Sequence, residues 1–242
     1  MSYAKALETV INPTQSERKT YSVAPERVSA EEKKPLTLPA RTNGKYKRVF
    51  AYLTLTRCID PTIVTTLMHK KFIYEDANGN CVFVGYNKAG KAAYGAVRST
   101  VTNRVFRYDA EGSDKENSFY IKGFNKRKIY VFESPIDALS HATLTNLAAG
   151  YDREWLNATR ISCGGNNDVP LEHFIRDYPE VEEICFCYDN DKGGQKARDL
   201  YMPKWEEKGF KVSAEIPKHK DFNEDLQAAV KNFNMAATAP KR

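Results

Sequence analysis

Apolar and polar stretches alternate regularly through the second half of this sequence. The apolar runs predict four strands, at Ile129–Glu133, Ala158–Cys163, Ile184–Asp189 and Val212–Ile216. Apolar residues at helical spacing after each strand predict four helices, at Pro135–Asn146, Pro170–Tyr178, Gly194–Lys208 and Asn223–Phe233. Strands and helices that alternate in this way are typical of a parallel sheet flanked by helices, so residues 126–242 are predicted to form an α/β domain.

The preceding region, residues 45–125, has the pattern of a small α+β subdomain. Apolar side chains recur at helical spacing from Tyr46 to Leu53, and Asp60-Pro61 is typical of the start of a second helix. Turn sequences rich in asparagine and glycine precede two predicted strands, at 81–86 and 93–98. These elements predict a β-meander supported by helices.

Residues 1–44 are predicted to be a flexible arm or linker with one short helix. Ala4, Leu7, Val10 and Ile11 are spaced as on one face of a helix. After them the composition becomes charged and polar, and two prolines, Pro35 and Pro39, interrupt the remaining apolar positions. Such a composition favours an extended connection over a packed element.

Composition narrows the class of protein. The 242 residues are 41% hydrophobic and 12% aromatic, as in globular rather than disordered chains. No apolar run reaches the length of a membrane span, and the first residues lack a signal-peptide layout, so a cytoplasmic protein is expected. The five cysteines form no CxxC pair, so neither a disulfide framework nor bound zinc is expected. The net charge of +6 is compatible with a polyanionic partner but does not demand one.

Two acids follow the third predicted strand of the α/β domain, in Asp189-Asn190-Asp191-Lys192-Gly193-Gly194. If the strand continued, Asp189 and Asp191 would point to the same side, about 6.6 Å apart along the backbone. Their like charges repel unless a cation lies between them, and carboxylate oxygens suit Mg²⁺ or Mn²⁺. A polar turn between strand and helix explains the same residue types, and both interpretations stand.

Further acids follow the first and fourth strands. Glu133 closes the first strand, and Asp137 lies in Ser134-Pro135-Ile136-Asp137, which has the spacing of a helix-capping box. For Asp137, capping and a functional role are about equally favoured. Asp221 follows the fourth strand, where an acidic first helical turn is the alternative explanation. Since ligands bind beyond the carboxyl ends of parallel strands, these acids are candidates for one site.

The histidines and cysteines of this region carry less functional signal. His141 lies on a predicted helix and is expected to be an ordinary surface or core residue. Cys185 and Cys187 share one face of a buried strand, so core packing is the simplest explanation for them.

Taken in order, the acidic motifs resemble those of a Toprim domain, which bacterial primases, topoisomerases and some nucleases share. The segment 131–140 resembles the primase-type version, although Ser134 stands where primases usually have glycine. The first half agrees: residues 52–60 resemble a primase segment that precedes a short helix, with Cys58 in place of a usual glycine, and residues 82–98 resemble the primase β-meander. The likeness is strongest to primase-like Toprim proteins of mobile elements and covers about residues 46–230.

The resemblance implies a primase-like nucleotidyltransferase core that acts on single-stranded DNA and nucleoside triphosphates in the replication of a mobile element. Glu133, Asp189 and Asp191 would be catalytic and would hold Mg²⁺ or Mn²⁺, and Asp137 and Asp221 would assist them. The template and triphosphate contacts that it implies are Arg57, Arg98, Lys122 and Lys192. A Toprim nuclease and a non-catalytic DNA-binding module remain alternatives.

One part of a full primase, the amino-terminal zinc ribbon, is not covered by the resemblance. Residues 1–12 look like the helix that normally follows the ribbon, and no cysteine ligand set for zinc is present. We therefore expect such a core to extend a supplied primer better than it starts one, because starting requires two free nucleotides and a template to be ordered together. A zinc-ribbon protein or a helicase acting in trans would be further partners.

Overall fold

The structure, a computed structural model, describes residues 34–44, 46–101, 103, 105–150 and 153–238, with side chains to residue 233. The helix predicted near Ala4–Ile11 lies outside the described residues. The described end of the predicted arm packs on the protein: Thr37 pairs with Glu111, Arg41 pairs with Asp76, and Leu38 contacts an apolar cluster. The described residues, from Lys34 onward, form one compact unit.

The small subdomain contains two helical segments and an antiparallel sheet. Helix α1 spans Lys47–Ala51 and continues as a π-helical turn at Tyr52–Thr56, and α2 spans Pro61–His69. Its strands, in the spatial order β1-β2-β3-β4, are β1 Ile73–Glu75, β2 Cys81–Tyr86, β3 Ala92–Arg98 and β4 Arg107–Asp109. The predicted meander is therefore confirmed, and three-residue strands that sequence reasoning missed extend it at both edges.

The second half contains a five-stranded sheet and four helices. Its strands are β5 Tyr120–Ile121, β6 Asn125–Phe132, β7 Ala158–Ser162, β8 Glu183–Cys187 and β9 Lys211–Ala214. Its helices are α3 Pro135–Ala149, α4 Val169–Asp177, α5 Lys192–Glu207 and α6 Phe222–Thr238. All four predicted strands and all four predicted helices are present, with ends that shift by a few residues.

The order of the strands decides where a ligand can bind. The sheet runs β5-β7-β6-β8-β9, and β6, β7, β8 and β9 are parallel, whereas β5 is antiparallel to β7. The chain leaves β6 toward β7 on one side and then crosses to β8 on the other. A crevice forms where the order reverses, at the carboxyl ends of β6 and β8. Glu133 follows β6 and Asp189 lies just beyond β8, so both reach this crevice.

One hydrophobic core joins the two halves of the chain. It packs residues of α1, α2 and the small sheet against α3 and α6, including Leu53, Ile63, Phe83, Leu139 and Leu226. The relative position of the small sheet and the carboxyl edge of the parallel sheet is thus fixed by buried apolar contacts. Among the described residues, no helix combines the length and apolarity that a membrane crossing needs.

Candidate active site at the carboxyl edge of the parallel sheet

Glu133 and Asp189 are neighbours across the switch point of the sheet. The backbone N–H of Asp189 donates a hydrogen bond to Glu133 Oε1 at 3.1 Å. Burial raises the pKa of Glu133, and the charge of Asp191 adds to the rise, while this hydrogen bond and the guanidinium groups of Arg107 and Arg198 oppose it. The acid that ends the first strand and the first acid beyond the third are therefore in direct contact, as the parallel topology predicts.

Asp137 combines the capping and the site interpretations. Its backbone N–H donates to the Ser134 hydroxyl, which caps α3, and that hydroxyl in turn donates to Asp137 Oδ2 at 2.6 Å. The predicted cap is confirmed, but the carboxyl group is also buried at the edge of the sheet. Burial raises the pKa of Asp137 to about 6, and repulsion from Asp221 and Glu133 contributes. Its Oδ1 has no hydrogen-bond partner.

Asp189 is the most perturbed member of the set. Burial and the charges of four neighbouring carboxylates, those of Asp137, Glu133, Asp221 and Asp191, raise its pKa to about 8. Its Oδ1, like Oδ1 of Asp137, is buried without a partner. A half-buried carboxyl group that lacks donors and is surrounded by like charge is unfavourable in its ionised form, and a cation bound there would relieve the repulsion.

Asp191 and Asp221 both begin helices at this edge. Asp191 Oδ1 accepts hydrogen bonds from the amides of Gly193 and Gly194 at 2.8 and 2.9 Å, and Asp221 Oδ1 accepts one from Glu224. Helix α5 consequently begins at Lys192 rather than at Gly194, and its first amides bind the Asp191 carboxylate. Gly194 is needed for packing, since a side chain there would collide with the Asp189 carbonyl oxygen.

The ligand atoms at this edge are of the type that a hard divalent cation prefers, but they lie farther apart than in a compact metal site. Carboxylate oxygens are the ligands that Mg²⁺ and Mn²⁺ favour, and two of these oxygens are buried without a donor. Within the described residues, however, the acids do not bring three oxygens within 4.8 Å of one another. A cation bound here would draw the carboxylates together against their mutual repulsion.

In the described part of the chain, a different group does bring three ligand atoms within 4.8 Å of one another, those of His141, Cys187 and Glu215. A hydrogen-bonded relay explains it. The guanidinium of Arg160 donates from Nε to His141 Nδ1, so the neutral ring carries its proton on Nε2, which donates to Glu215 at 3.2 Å. Burial raises the pKa of the Cys187 thiol well above its ordinary value, which keeps it protonated. With its ring and thiol protons in place, this group is structural, and the prediction that Cys185 and Cys187 are core residues is confirmed.

Basic side chains of the small subdomain face the acids. A cavity of about 240 Å³ separates the small sheet from the start of α3. Arg98 and Arg107 line it from the small sheet, and Glu133 and Ser134 line it from the parallel sheet. Arg57, at the end of the π-helical turn, lies beside Arg98, because the Tyr52 hydroxyl accepts one hydrogen bond from each of them. The predicted contacts Arg57 and Arg98 are thus brought together.

The two predicted lysines lie elsewhere. Lys192 is exposed at the first turn of α5, beside Asp191. Lys122 follows β5, and because β5 is antiparallel to β7, it emerges at the amino ends of the parallel strands, opposite the acids. There its ammonium lies 3.9 Å from the centre of the Tyr178 ring. The structure therefore does not bring Lys122 to the carboxylates.

Sequence reasoning missed two polar residues of this site, Asn166 and Arg107. With its amide nitrogen turned toward Glu133, Asn166 donates to both carboxylate oxygens, at 2.6 and 3.0 Å. The available signal was the segment Gly164-Gly165-Asn166-Asn167, which leaves β7 at the same edge of the sheet as the acids. Arg107 is directly opposite Arg98 across β3 and β4, a pairing that could not be seen without β4.

Comparison with known families supports this architecture. Residues 51–126 match the family described as "Protein of unknown function (DUF3991)", and residues 130–226 match the family described as "Toprim-like". Residues 130–226 form a Toprim-like domain. The acids Glu133, Asp137, Asp189, Asp191 and Asp221 all lie within it. The predicted Toprim-type α/β fold, with a small α+β subdomain before it, is confirmed.

Two known proteins are similar to this chain over more of its length. The fold matches the crystal structure of the primase fragment of the bacteriophage T7 primase-helicase protein with a TM-score of 0.54 and 16% identity, over 86% of this chain and 83% of that one. An uncharacterized protein of Bacillus anthracis, pXO2-78, is 28% identical over 163 residues, 63% of this chain and 46% of that protein. The chain thus spans about half the length of this curated relative. The first likeness shows a shared fold.

Proposed function

We propose that this chain is a metal-dependent, primase-like nucleotidyltransferase core that acts on single-stranded DNA in the replication of a mobile element. One observation carries the proposal. Carboxylates converge on Asp189, whose pKa is raised to about 8, and one of them, Glu133, faces Arg98 and Arg107 of the small subdomain across a cavity. Groups that could hold a cation therefore oppose groups that could hold phosphates, which is the arrangement that phosphoryl transfer needs.

On the acidic side, Glu133, Asp189 and Asp191 are the proposed catalytic ligands, with Asp137 and Asp221 assisting them. A bound Mg²⁺ or Mn²⁺ would neutralise triphosphate oxygens as charge develops on them. The protein's own contribution is orientation. Asn166 fixes the carboxylate of Glu133, and Ser134 fixes that of Asp137.

On the basic side, Arg57 and Arg98 are proposed to contact the phosphates of the template or of a nucleoside triphosphate. Arg107 joins them, because it lines the same cavity and acts electrostatically on Glu133. Lys192, exposed beside Asp191, is proposed as an outer contact. The placement of Lys122 at the opposite edge gives it no role in this site. By analogy with the T7 protein, a helicase is a proposed partner in trans, as is a zinc-ribbon protein.

The test is an incubation with single-stranded DNA, labelled ribonucleotides and Mn²⁺ or Mg²⁺, with and without an annealed short RNA. We expect new or extended oligomers that disappear in the Asp189→Asn/Asp191→Asn variant. Asp199→Asn is the matched control, because Asp199 lies in α5 but bonds to Gln195, away from the acidic edge. Cut template would indicate the nuclease alternative, and binding without either product the non-catalytic one.

A further inference from the structure

A single hydroxyl organises the arginines of the small subdomain. Tyr52 is only 5% exposed, and its hydroxyl oxygen accepts a hydrogen bond from Arg57 Nε and another from Arg98 Nε, both at 3.0 Å. Both acceptor positions of the oxygen are therefore occupied by guanidinium donors. The hydroxyl proton is left to donate, and no acceptor for it is found among the described residues.

The positive charge at this point is unusually concentrated. Arg57 and Arg98 share one oxygen atom, and Arg98 lies directly opposite Arg107 on the neighbouring strand. Like charges in such positions repel each other. Within the described residues, none of the three has a carboxylate at ion-pair distance. The Tyr52 hydroxyl holds the two Nε atoms in place, but the positive charge of the guanidinium groups has no carboxylate partner in the described part of the chain and is available to an external anion.

A buried amide ties this arrangement to the acidic edge. Asn223, 2% exposed at the start of α6, accepts from Arg57 Nη1 at 3.1 Å and donates to the Arg57 carbonyl oxygen at 2.8 Å and to Ser140 at 2.9 Å. Ser140 in turn donates to the carbonyl oxygen of Ile136, the residue before Asp137 in α3. A continuous chain of hydrogen bonds therefore runs from α3, the helix that carries Asp137, through Ser140, Asn223, Arg57 and Tyr52 to Arg98.

We propose that Tyr52 is a positioning residue that holds Arg57 and Arg98 as a phosphate-binding pair, and that Asn223 sets the position of this pair relative to the carboxylates. The ligand class is a phosphate group, either of a nucleoside triphosphate or of a nucleic-acid backbone. The inference rests on the proposed function and adds to it the residues that build the phosphate site. An arriving phosphate oxygen would supply the missing acceptor and the missing negative charge together.

The experiment measures binding and does not require catalysis. Dissociation constants are determined for ATP and, separately, for an oligodeoxythymidine of about twelve residues without a terminal phosphate, at low salt. Tyr52→Phe keeps the ring that fills the core and removes only the hydroxyl. We expect about tenfold weaker binding of at least one probe, the loss expected when charge-assisted contacts are no longer held in place. Tyr86→Phe is the matched control, since it removes a hydroxyl that bonds to the Lys71 carbonyl.

A double variant separates positioning from general loss of structure. If Tyr52 acts by holding both arginines, adding Tyr52→Phe to a double variant that already lacks them, Arg57→Ala/Arg98→Ala, should weaken binding no further. A change with ATP alone would assign the pair to a triphosphate, and a change with the oligonucleotide alone to the backbone. Wild-type-like binding of both probes by Tyr52→Phe, or a further loss when Tyr52→Phe is added to the double variant, would overturn the inference. Failure of the unaltered protein to bind either probe would instead overturn the proposed function beneath it.

Discussion

Two polar clusters lie at the parallel sheet of this protein, and they are built in opposite ways. In the first, Arg160 is 0% exposed and donates four hydrogen bonds, to His141, Thr145 and the carbonyl oxygens of Trp155 and Ala158. His141 passes the chain on to Glu215. Every charged group there has a partner, so the cluster contributes to a defined fold.

The second cluster, the carboxylates around Asp189, leaves some of its oxygen atoms unsatisfied. Asp137 and Asp189 each bury an oxygen without a donor, and the acids repel one another. The compact, fully bonded cluster resembles a metal site by distance, whereas the looser carboxylate cluster resembles one by electrostatics. The comparison teaches that unsatisfied buried charge is the better sign of function, because a structural cluster has no reason to leave it uncompensated.

The largest expected effect is on the satisfied cluster. Arg160→Met should lower the free energy of unfolding by about 3 kcal/mol, because it strands several buried acceptors. Urea denaturation measures this change. Arg127→Met is the matched control: Arg127 is exposed and pairs with Glu182, so a loss of no more than about 0.5 kcal/mol is expected. An equally small loss for Arg160→Met would mean that this cluster is not structural.

In the second cluster, replacing a carboxylate should raise the free energy of unfolding, and the size of this rise should depend on pH. The pKa of Asp189 is about 8 and that of Asp137 about 6 in the folded state, above the ordinary 3.8. The folded protein therefore holds extra protons between about pH 4 and pH 8, and without metal its stability falls as pH rises through that range. Asp189→Asn should remove much of this fall.

Since Asp189 is half-buried and partly screened by solvent, we expect this variant to gain about 1–2 kcal/mol over the unaltered protein at pH 8 and almost nothing at pH 5. Denaturation in a chelating buffer at the two pH values measures the difference. A variant less stable than the unaltered protein at pH 8 would show that the carboxylates do not repel as described.

A smaller effect is expected at Ser134, which gives Asp137 its one side-chain partner. Ser134→Ala should lower stability by about 1 kcal/mol, because α3 loses its cap and Asp137 loses a donor. Thr66→Ala, which removes an exposed hydroxyl within α2, is the control and should change stability by less than about 0.5 kcal/mol. Equal changes in the two variants would show that Ser134 does not stabilise the start of α3 or the carboxyl group of Asp137.

The sequence was sufficient to locate the acidic half of the site. Alternating strands and helices predict a parallel sheet, and acids at the ends of such strands must meet at one edge. Glu133 and Asp189 do meet there. Lys122, which only the resemblance implied, lies at the other edge of the sheet, because the two-residue antiparallel strand β5 reverses the direction of the chain and carries too little signal to be predicted.

For the basic side of the site, the sequence indicated which residues take part but not how they contact one another. Arg57 and Asn223 are 166 positions apart, and their contact depends on how α6 packs beside the π-helical turn. No local pattern encodes such a pairing, nor the convergence of Arg57 and Arg98 on Tyr52. Asn166 was likewise hidden, because its role depends on an amide orientation that only the neighbouring Glu133 determines.

Calorimetric titration with Mn²⁺ shows whether the carboxylates of the Toprim-like domain form a cation site. The unaltered protein should bind the ion, and Asp189→Asn/Asp191→Asn should lose most of that affinity while its thermal stability without metal is unchanged or raised. Asp199→Asn should bind as the unaltered protein does. Undiminished Mn²⁺ binding by the double variant would contradict the assignment of the site.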